Sequence, residues 1–176
     1  MKNLKTERLI LRKVKIDDYK TIYDTWTSDF DVSMYVSWYV HKSPRVTKKL
    51  VEYWCNEYKN DKKCYRWIVE LKKSHTIIGM IDVVRKNIEY KTCEMGYVYG
   101  KKYWGNGYGT EALKVVIDYL HNEGFVVITA GHMVENVGSG RVMEKAGMTY
   151  EATLHSRVID KNNKREDVAI YYSQRG

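Results

Sequence analysis

The hydrophobic pattern of the chain changes its period at one glycine-rich loop. The run from Tyr90 to Tyr99 predicts a strand. Beyond Gly107, apolar residues recur at i, i+3, i+4 and i+7, which predicts a helix that ends near Gly124. The apolar face of that helix consists of Leu113, Val116, Ile117 and Leu120. A strand, a glycine loop and a helix in succession are typical of a mixed α/β protein.

The other segments predict a sheet that is largely antiparallel. Further strands are predicted at Thr6–Val14, Tyr65–Leu71, Thr76–Val84, Phe125–Ala130, Met148–Ile159 and Glu166–Tyr172. Further helices are predicted at Tyr19–Trp26, at Pro44–Lys59 and at Ser139–Ala146, and Ser28–His41 is predicted to be a loop or an irregular helix. Three strands in succession before the glycine loop do not fit an alternating, doubly wound fold. The 176 residues contain no repeat or linker, so we expect a single domain over 1–176.

The glycine loop has the features of an anion site. Glycines let the backbone approach a ligand closely, and the first turn of the next helix offers N–H groups and the positive end of its dipole. Such a site suits a diphosphate, and Lys101, Lys102 and the hydroxyl of Thr110 add to it. On the loop alone, a purely structural turn is an equally good interpretation. A nucleotide P-loop is excluded because no Gly-Lys-Ser/Thr follows, and a dinucleotide site would need a first parallel βαβ unit.

Composition limits the classes of protein further. The net charge of +8 favours encounters with anionic partners without naming one. Three cysteines without paired short spacing indicate neither a disulfide framework nor a zinc site, which agrees with a reducing cytoplasm. No metal site is expected from the five scattered histidines. We expect neither a signal peptide nor a membrane span, because no long apolar run is present.

About thirty residues after the loop, a second motif completes a family pattern. The loop reads Trp104-Gly105-Asn106-Gly107-Tyr108-Gly109-Thr110-Glu111-Ala112, and the second motif runs from Asn136 through Ser139 and Arg141 to Met148. Together with Thr6–Arg12 and Glu94–Tyr97, they resemble the GNAT superfamily of N-acetyltransferases. The resemblance covers nearly the whole chain and is closest to the RimJ/RimL-like branch, the ribosomal-protein N-terminal acetyltransferases and their relatives.

The resemblance implies a fold and a cosubstrate. The fold is a mixed, largely antiparallel sheet with a central splay near Tyr97 and Ile128, flanked by about four helices. The cosubstrate is acetyl-CoA, whose pantetheine arm would enter the splay and meet backbone groups around Val98. Its phosphates would lie on N–H groups of the loop, from Gly105, Asn106 and Gly107 to Tyr108, Gly109 and Thr110. Asn136 would bind a pantetheine amide or form a turn, and Arg141 would reach a phosphate or cover the surface.

Two residues are candidates for the chemistry of acyl transfer. A protonated amine has no lone pair, so a group must remove its proton, and Glu94 is the candidate general base, acting through water. The alternative for Glu94 is a surface or salt-bridged carboxylate. Ser139 would hydrogen-bond the leaving sulfur, as the resemblance implies, or would instead cap its helix. Many members of the superfamily carry a tyrosine as general acid where this chain has Met143, which cannot donate a proton.

The acceptor is not specified by the sequence. Trp26, Tyr35 and Trp38 lie where the family places substrate-facing elements, and we expect one or two aromatic residues of this region to line the acceptor site. A protein N-terminus and a small amine are both open, and so is a non-catalytic, basic, ribosome- or RNA-associated protein on the same fold. No basic run with interleaved aromatics marks a nucleic-acid face. A homodimer is the default expectation for a compact enzyme.

Overall fold

The computed structural model describes all residues from 1 to 176. Its strands are β1 (Leu4–Lys5), β2 (Leu9–Arg12), β3 (Arg66–Leu71), β4 (Ile77–Asn87), β5 (Thr92–Tyr99), β6 (Val127–Met133), β7 (Thr149–Ile159) and β8 (Arg165–Gln174). Its helices are α1 (Tyr19–Ile22), α2 (Phe30–Ser33), α3 (Pro44–Asn60), α4 (Tyr108–Asn122) and α5 (Val137–Lys145). The predicted order of elements is therefore confirmed, with the short β1 and α2 added.

The eight strands form one mixed sheet in the order β1-β2-β3-β4-β5-β6-β8-β7. The chain divides into two compact units, Met1–Asp82 with Tyr97–Asn106, and Val83–Gly96 with Gly107–Gly176. Strands β2 and β3 pair antiparallel, as do β3 and β4, whereas β5 and β6 are parallel. The predicted mixed α/β class with a largely antiparallel sheet is confirmed.

The first unit is built around a core of aliphatic and tryptophan side chains. Trp26, Val51, Trp54, Ile68 and Val98 belong to this core. Helix α3 begins at Pro44, the first helical position predicted for it, where the missing N–H costs nothing. Helix α1 is shorter than predicted because the chain continues from it into a π-helical turn, Tyr23–Thr27.

The second unit contains the parallel pair and the two helices that follow it. The ladder between β5 and β6 joins Thr92–Met95 to Val127–Ala130, and Ile128 pairs with Cys93 inside it. The ladder ends at Met95 and Ala130, two residues before Tyr97 and two residues beyond Ile128, which is near the predicted splay. On its other side β6 pairs antiparallel with β8, which pairs with β7 at the edge of the sheet.

Helix α4 buries the face that its periodicity predicts. Ala112, Leu113, Val116, Ile117 and Leu120 are all buried, and the helix ends two residues before Gly124. No helix in the chain is both long enough and apolar enough to span a membrane.

Candidate active site

The glycine loop leaves β5 as a 3-10 turn, Lys101–Tyr103, and is held by its own side chains. The indole N–H of Trp104 donates to the carbonyl oxygen of Tyr99 at 2.8 Å. The amide of Asn106 donates to the carbonyl of Trp104 at 3.0 Å, and Arg8 Nη1 donates to the carbonyl of Asn106 at 3.0 Å. The side-chain nitrogen of Asn106 therefore folds back on the loop.

Two glycines of the loop adopt the left-handed conformation that other residues rarely take. Gly105 has φ of 75° and Gly107 has φ of 78°. Gly107 is the residue that precedes α4, so this conformation directs the chain into the helix. Gly109 and Thr110 follow in the first turn, where N–H groups lack an intrahelical acceptor and the helix dipole is positive. The predicted anion site therefore has its required local backbone geometry.

The two lysines of the loop already have partners. Lys101 Nζ forms an ion pair with Asp31, and Lys102 Nζ lies 5.0 Å from the ring centroid of Tyr103. An open cleft beside them is lined by Asp24, Thr25, Asp29, Lys101 and Lys102. Charges of both signs therefore line this cleft, and Lys101 does not offer an uncompensated charge to a phosphate.

Val98 can act only through its backbone. Its side chain belongs to the buried core of the first unit. Its carbonyl oxygen lies 2.4 Å from the position that a Cβ on Gly79 would occupy, and the Tyr99 ring is equally close to that position. Only glycine at position 79 therefore lets β4 pack this closely against Val98 and Tyr99. The sequence does not indicate this role, because Gly79 lies in an ordinary apolar run.

The second motif forms the turn from β6 into α5. Asn136 is the N-cap of α5, and its side-chain oxygen accepts the Ser139 N–H at 3.3 Å. Ser139 lies in the first turn of α5, so the alternative prediction that it caps the helix is wrong. The prediction of a turn role for Asn136 is confirmed, and Arg141 is exposed on the next turn.

His132, which the sequence analysis did not single out, packs against α5. Its Nδ1 donates to the carbonyl of Met133 at 2.7 Å, and its ring lies 5.8 Å from that of Tyr171. Its Nε2 is buried without a hydrogen-bond partner. That atom lies 2.7 Å from the position that a Cβ on Gly140 would occupy, so only glycine fits between Ser139 and Arg141. His132 and Gly140 are eight residues apart in the sequence and form no recognisable motif, so the sequence does not predict their contact.

Glu94 lies on β5 opposite Thr129 of β6. Its carboxylate is 3.5 Å from Arg85 Nη1, and the two side chains are 42% and 82% exposed. The salt-bridged alternative considered for Glu94 is therefore present. An ion pair this exposed contributes little energy and leaves the carboxylate accessible to water.

The aromatic residues predicted to bind the acceptor have different environments. Trp26 is 1% exposed and packs in the core, so its predicted substrate-binding role is wrong. Trp38 packs against the same core, with its ring 5.9 Å from that of His41. Tyr35 is 40% exposed and remains available to a ligand.

Comparison with known proteins identifies the family. Residues 8–149 match the acetyltransferase (GNAT) domain model. The chain is 35% identical to the Bacillus subtilis protein YkkB, covering 96% of this chain and 93% of YkkB. It is 30% identical to YnaD of Bacillus subtilis, an uncharacterized N-acetyltransferase, covering 96% of this chain and 95% of YnaD.

Two solved structures share the fold. A GNAT-family acetyltransferase from Bacillus anthracis superposes with a TM-score of 0.84 at 28% identity, covering 98% of each chain. RimL, a ribosomal alpha-N-protein acetyltransferase solved with coenzyme A, superposes with a TM-score of 0.85 at 16% identity, again covering 98% of each chain. The chain is a member of the GNAT family of acetyltransferases.

Proposed function

We propose that this enzyme is an acetyl-CoA-dependent N-acetyltransferase that transfers the acetyl group directly to a primary amine. The observation that carries the proposal is the loop from Trp104 to Ala112, in which left-handed Gly105 and Gly107 lead into the first turn of α4. A helix N-terminus preceded by such glycines suits the diphosphate of coenzyme A. Family membership supports the same cosubstrate.

The cosubstrate would be held mainly by backbone groups. The diphosphate is assigned to N–H groups of Gly105, Asn106, Gly107, Tyr108, Gly109 and Thr110. The pantetheine amides are assigned to the backbone of Val98 and to Asn136, whose side-chain oxygen already caps α5. Arg141 is exposed and is assigned to a phosphate.

Direct transfer is supported by the state of the buried cysteine. A covalent acetyl-enzyme on cysteine needs a thiolate. Burial raises the pKa of the Cys93 thiol to about 12, and burial also raises the pKa of Cys55. These two thiols are therefore protonated at neutral pH, and the amine itself is the nucleophile in the proposal.

Two side chains are proposed for the proton transfers. Glu94, accessible to water beside Arg85, is the candidate general base inferred from the sequence. Ser139, in the first turn of α5, would donate a hydrogen bond to the leaving sulfur. Glu94→Gln should lower kcat by about 10²-fold if the carboxylate is the base. An unchanged rate near neutral pH would exclude it.

The acceptor is proposed to be a primary amine on a protein N-terminus or on a small molecule. Tyr35 and Trp38 remain the candidate acceptor-binding aromatics. The non-catalytic, RNA-associated alternative is not favoured by membership in an enzyme family. A RimJ/RimL-like specificity, a cytoplasmic location and a homodimer are part of the same proposal.

An acceptor panel tests the proposal. Coenzyme A release from acetyl-CoA would be measured with peptides that have free N-termini, with polyamines and with aminoglycosides. We expect amine-dependent release with at least one class, and mass spectrometry should locate one added acetyl group on the nitrogen. No turnover with any acceptor, together with salt-sensitive RNA binding, would instead support the non-catalytic alternative.

A further inference from the structure

The edge strand β7 is interrupted by a large bulge. Leu154 pairs with Val168 and Val158 pairs with Glu166, so three residues of β7, His155–Arg157, stand opposite Asp167 alone. Ser156 in the bulge has φ of 53°, a left-handed conformation that a serine adopts at a cost in energy. Bulges of this kind redirect side chains, and they are frequent beside active sites.

Asp167 fixes the bulge through both of its carboxylate oxygens. Oδ1 accepts the Ser156 backbone N–H at 2.8 Å, and Oδ2 lies 2.8 Å from His155 Nδ1. These hydrogen bonds, first that from Ser156 and then that from His155, lower the pKa of Asp167 and keep it ionised. The Asp167 carboxylate accepts a hydrogen bond from the Nδ1–H of His155, so the lone pair of the neutral imidazole is on Nε2. The side chain of His155 is 81% exposed, which leaves Nε2 accessible to a ligand.

The bulge adjoins the β6–α5 turn. This turn carries the residues of the second unit that are proposed to bind acetyl-CoA. The N–H of Val134, one residue beyond β6, donates to the carbonyl of Asp167 at 3.0 Å. In register, Met133 at the end of β6 pairs with Val168, which pairs with Leu154 at the edge of the bulge. The chain then turns through Asn136 to Ser139. Since β6 is one of the two parallel strands, this turn lies at its carboxyl end.

We propose that His155 accepts the proton of the incoming ammonium group at Nε2 and that Asp167 is its positioning residue. This inference rests on the proposed N-acetyl transfer but assigns the ammonium proton to His155 in place of Glu94, which it leaves as the ion-pair partner of Arg85. The ammonium N–H bond breaks and its proton moves to Nε2, which leaves a neutral amine. The amine forms the N–C bond at the thioester carbonyl, the C–S bond breaks, and the departing thiolate takes up the second proton released by the nitrogen. The imidazolium returns its proton to solvent, so one proton is released for each acetyl group transferred.

The charged groups around the bulge are compatible with this role. Arg165 Nη1 donates to the carbonyl of Ser156 at 3.2 Å, and Arg157 is in the bulge itself. On the side of the β6–α5 turn, Lys164 pairs with Glu166 at 2.7 Å and with Glu135 at 3.4 Å. The lysine is thus neutralised by its own carboxylates, and the residue that faces the imidazole directly is Asp167.

The test is the pH dependence of kcat/KM for wild-type enzyme, His155→Gln, Asp167→Asn and Glu94→Gln. Coenzyme A release would be measured with spermidine, kanamycin and a tetrapeptide with a free N-terminal serine. The control is His75→Gln, because His75 also pairs through Nδ1 with a carboxylate, Glu70 at 2.6 Å, but lies in the β3–β4 turn. Thermal melting of each variant would verify that it is folded.

We expect His155→Gln to lower the rate by about 10²–10⁴-fold and to abolish the ascending limb expected in the wild-type pH profile. Asp167→Asn should lower the rate by a smaller factor, because the imidazole loses the carboxylate that orients it through Nδ1. The limb should persist in His75→Gln and in Glu94→Gln. A limb retained in His155→Gln, or lost only in Glu94→Gln, would overturn the inference while leaving the acetyltransferase proposal intact. A wild-type enzyme that is inactive with all three acceptors would overturn both.

Discussion

Gly140 offers the sharpest prediction at the scale of single residues. A methyl group at this position would meet His132 Nε2 at 2.7 Å and Cε1 at 3.0 Å. The imidazole cannot easily yield, because Nδ1 is hydrogen-bonded and the ring packs near Tyr171. Gly140→Ala should therefore lower the free energy of unfolding by about 1–3 kcal/mol, measured by urea denaturation.

Gly138 supplies the matched control two residues earlier. A Cβ on Gly138 would meet only the Asn136 side chain, at 3.8 Å. Gly138→Ala should stabilise α5 by about 0.5–1 kcal/mol, since alanine loses less backbone entropy in a helix. Equal effects of the two substitutions would show that the contact with His132 is not the cause.

Substitutions at Asn136 and Ser139 should distinguish an effect on stability from an effect on catalysis. Asn136→Ala removes the cap of α5 and should cost about 1 kcal/mol of unfolding free energy. Ser139→Ala should lower kcat, since Ser139 is proposed to hydrogen-bond the leaving sulfur and Asn136 is the residue that caps the helix. A Ser139→Ala enzyme with an unchanged kcat would contradict the catalytic assignment, and an unchanged unfolding free energy in Asn136→Ala would contradict the cap.

Residue roles could be predicted from the sequence where one side chain has few possible partners. The sequence limits Asn136 to a turn residue or a pantetheine partner, and the helix boundary confirms the turn. The His132–Gly140 contact and the His155–Asp167 pair could not be predicted, because each depends on how two elements pack. Trp26 was misassigned because position in the sequence does not show on which side of a π-helical turn a ring lies.

At the scale of elements, a buried ionic network connects β2, β3 and the turn before α1. Arg12 binds Asp18 through both terminal nitrogens, at 2.8 and 2.9 Å, and binds Glu70 through Nε at 2.7 Å. His75 completes the network on the other oxygen of Glu70, at 2.6 Å. Burial alone would raise the pKa of Glu70, but the hydrogen bonds from Arg12 and His75 outweigh it and lower the pKa.

This network predicts a specific acid sensitivity. The pKa of Glu70 is lower in the folded state than its ordinary value of 4.5. Its ionised carboxylate therefore contributes fully to the free energy of unfolding above that pH. The contribution is lost as the pH falls through the folded-state pKa. Glu70→Gln should therefore flatten the fall in unfolding free energy below about pH 4.5, measured by denaturation over a pH series. Glu89→Gln, an exposed carboxylate in the β4–β5 turn, should leave the slope unchanged.

Elements with a clear period were predicted closely. Helix α3 was recognised from Pro44 and helix α4 from its apolar face, since both signals are local. The strand β4 extends three residues beyond its predicted end at Val84 because pairing, rather than local composition, determines where a strand stops. The bulge in β7 is likewise set by β8 and is invisible in the pattern of β7 alone.

At the scale of the whole molecule, the order of motifs carried more information than any one of them. The glycine loop alone allowed a structural turn or an anion site. Its place after three successive strands and before the Asn136–Met148 motif indicated the family, and the family match over residues 8–149 confirms it. The single domain over 1–176 stays a prediction, and the acceptor depends on surfaces for which sequence provides no pattern.

The central claim is that the loop before α4 binds acetyl-CoA through backbone geometry, and calorimetric titration with acetyl-CoA tests it most directly. Gly107 requires a left-handed conformation, with φ of 78°, whereas Gly109 lies in the first turn of α4. Gly107→Ala should weaken binding by about 5- to 30-fold, since holding an alanine in the left-handed conformation that presents the N–H groups costs roughly 1–2 kcal/mol. Gly109→Ala should bind like the wild type. Wild-type affinity in Gly107→Ala, or no binding by the wild type itself, would contradict the claim.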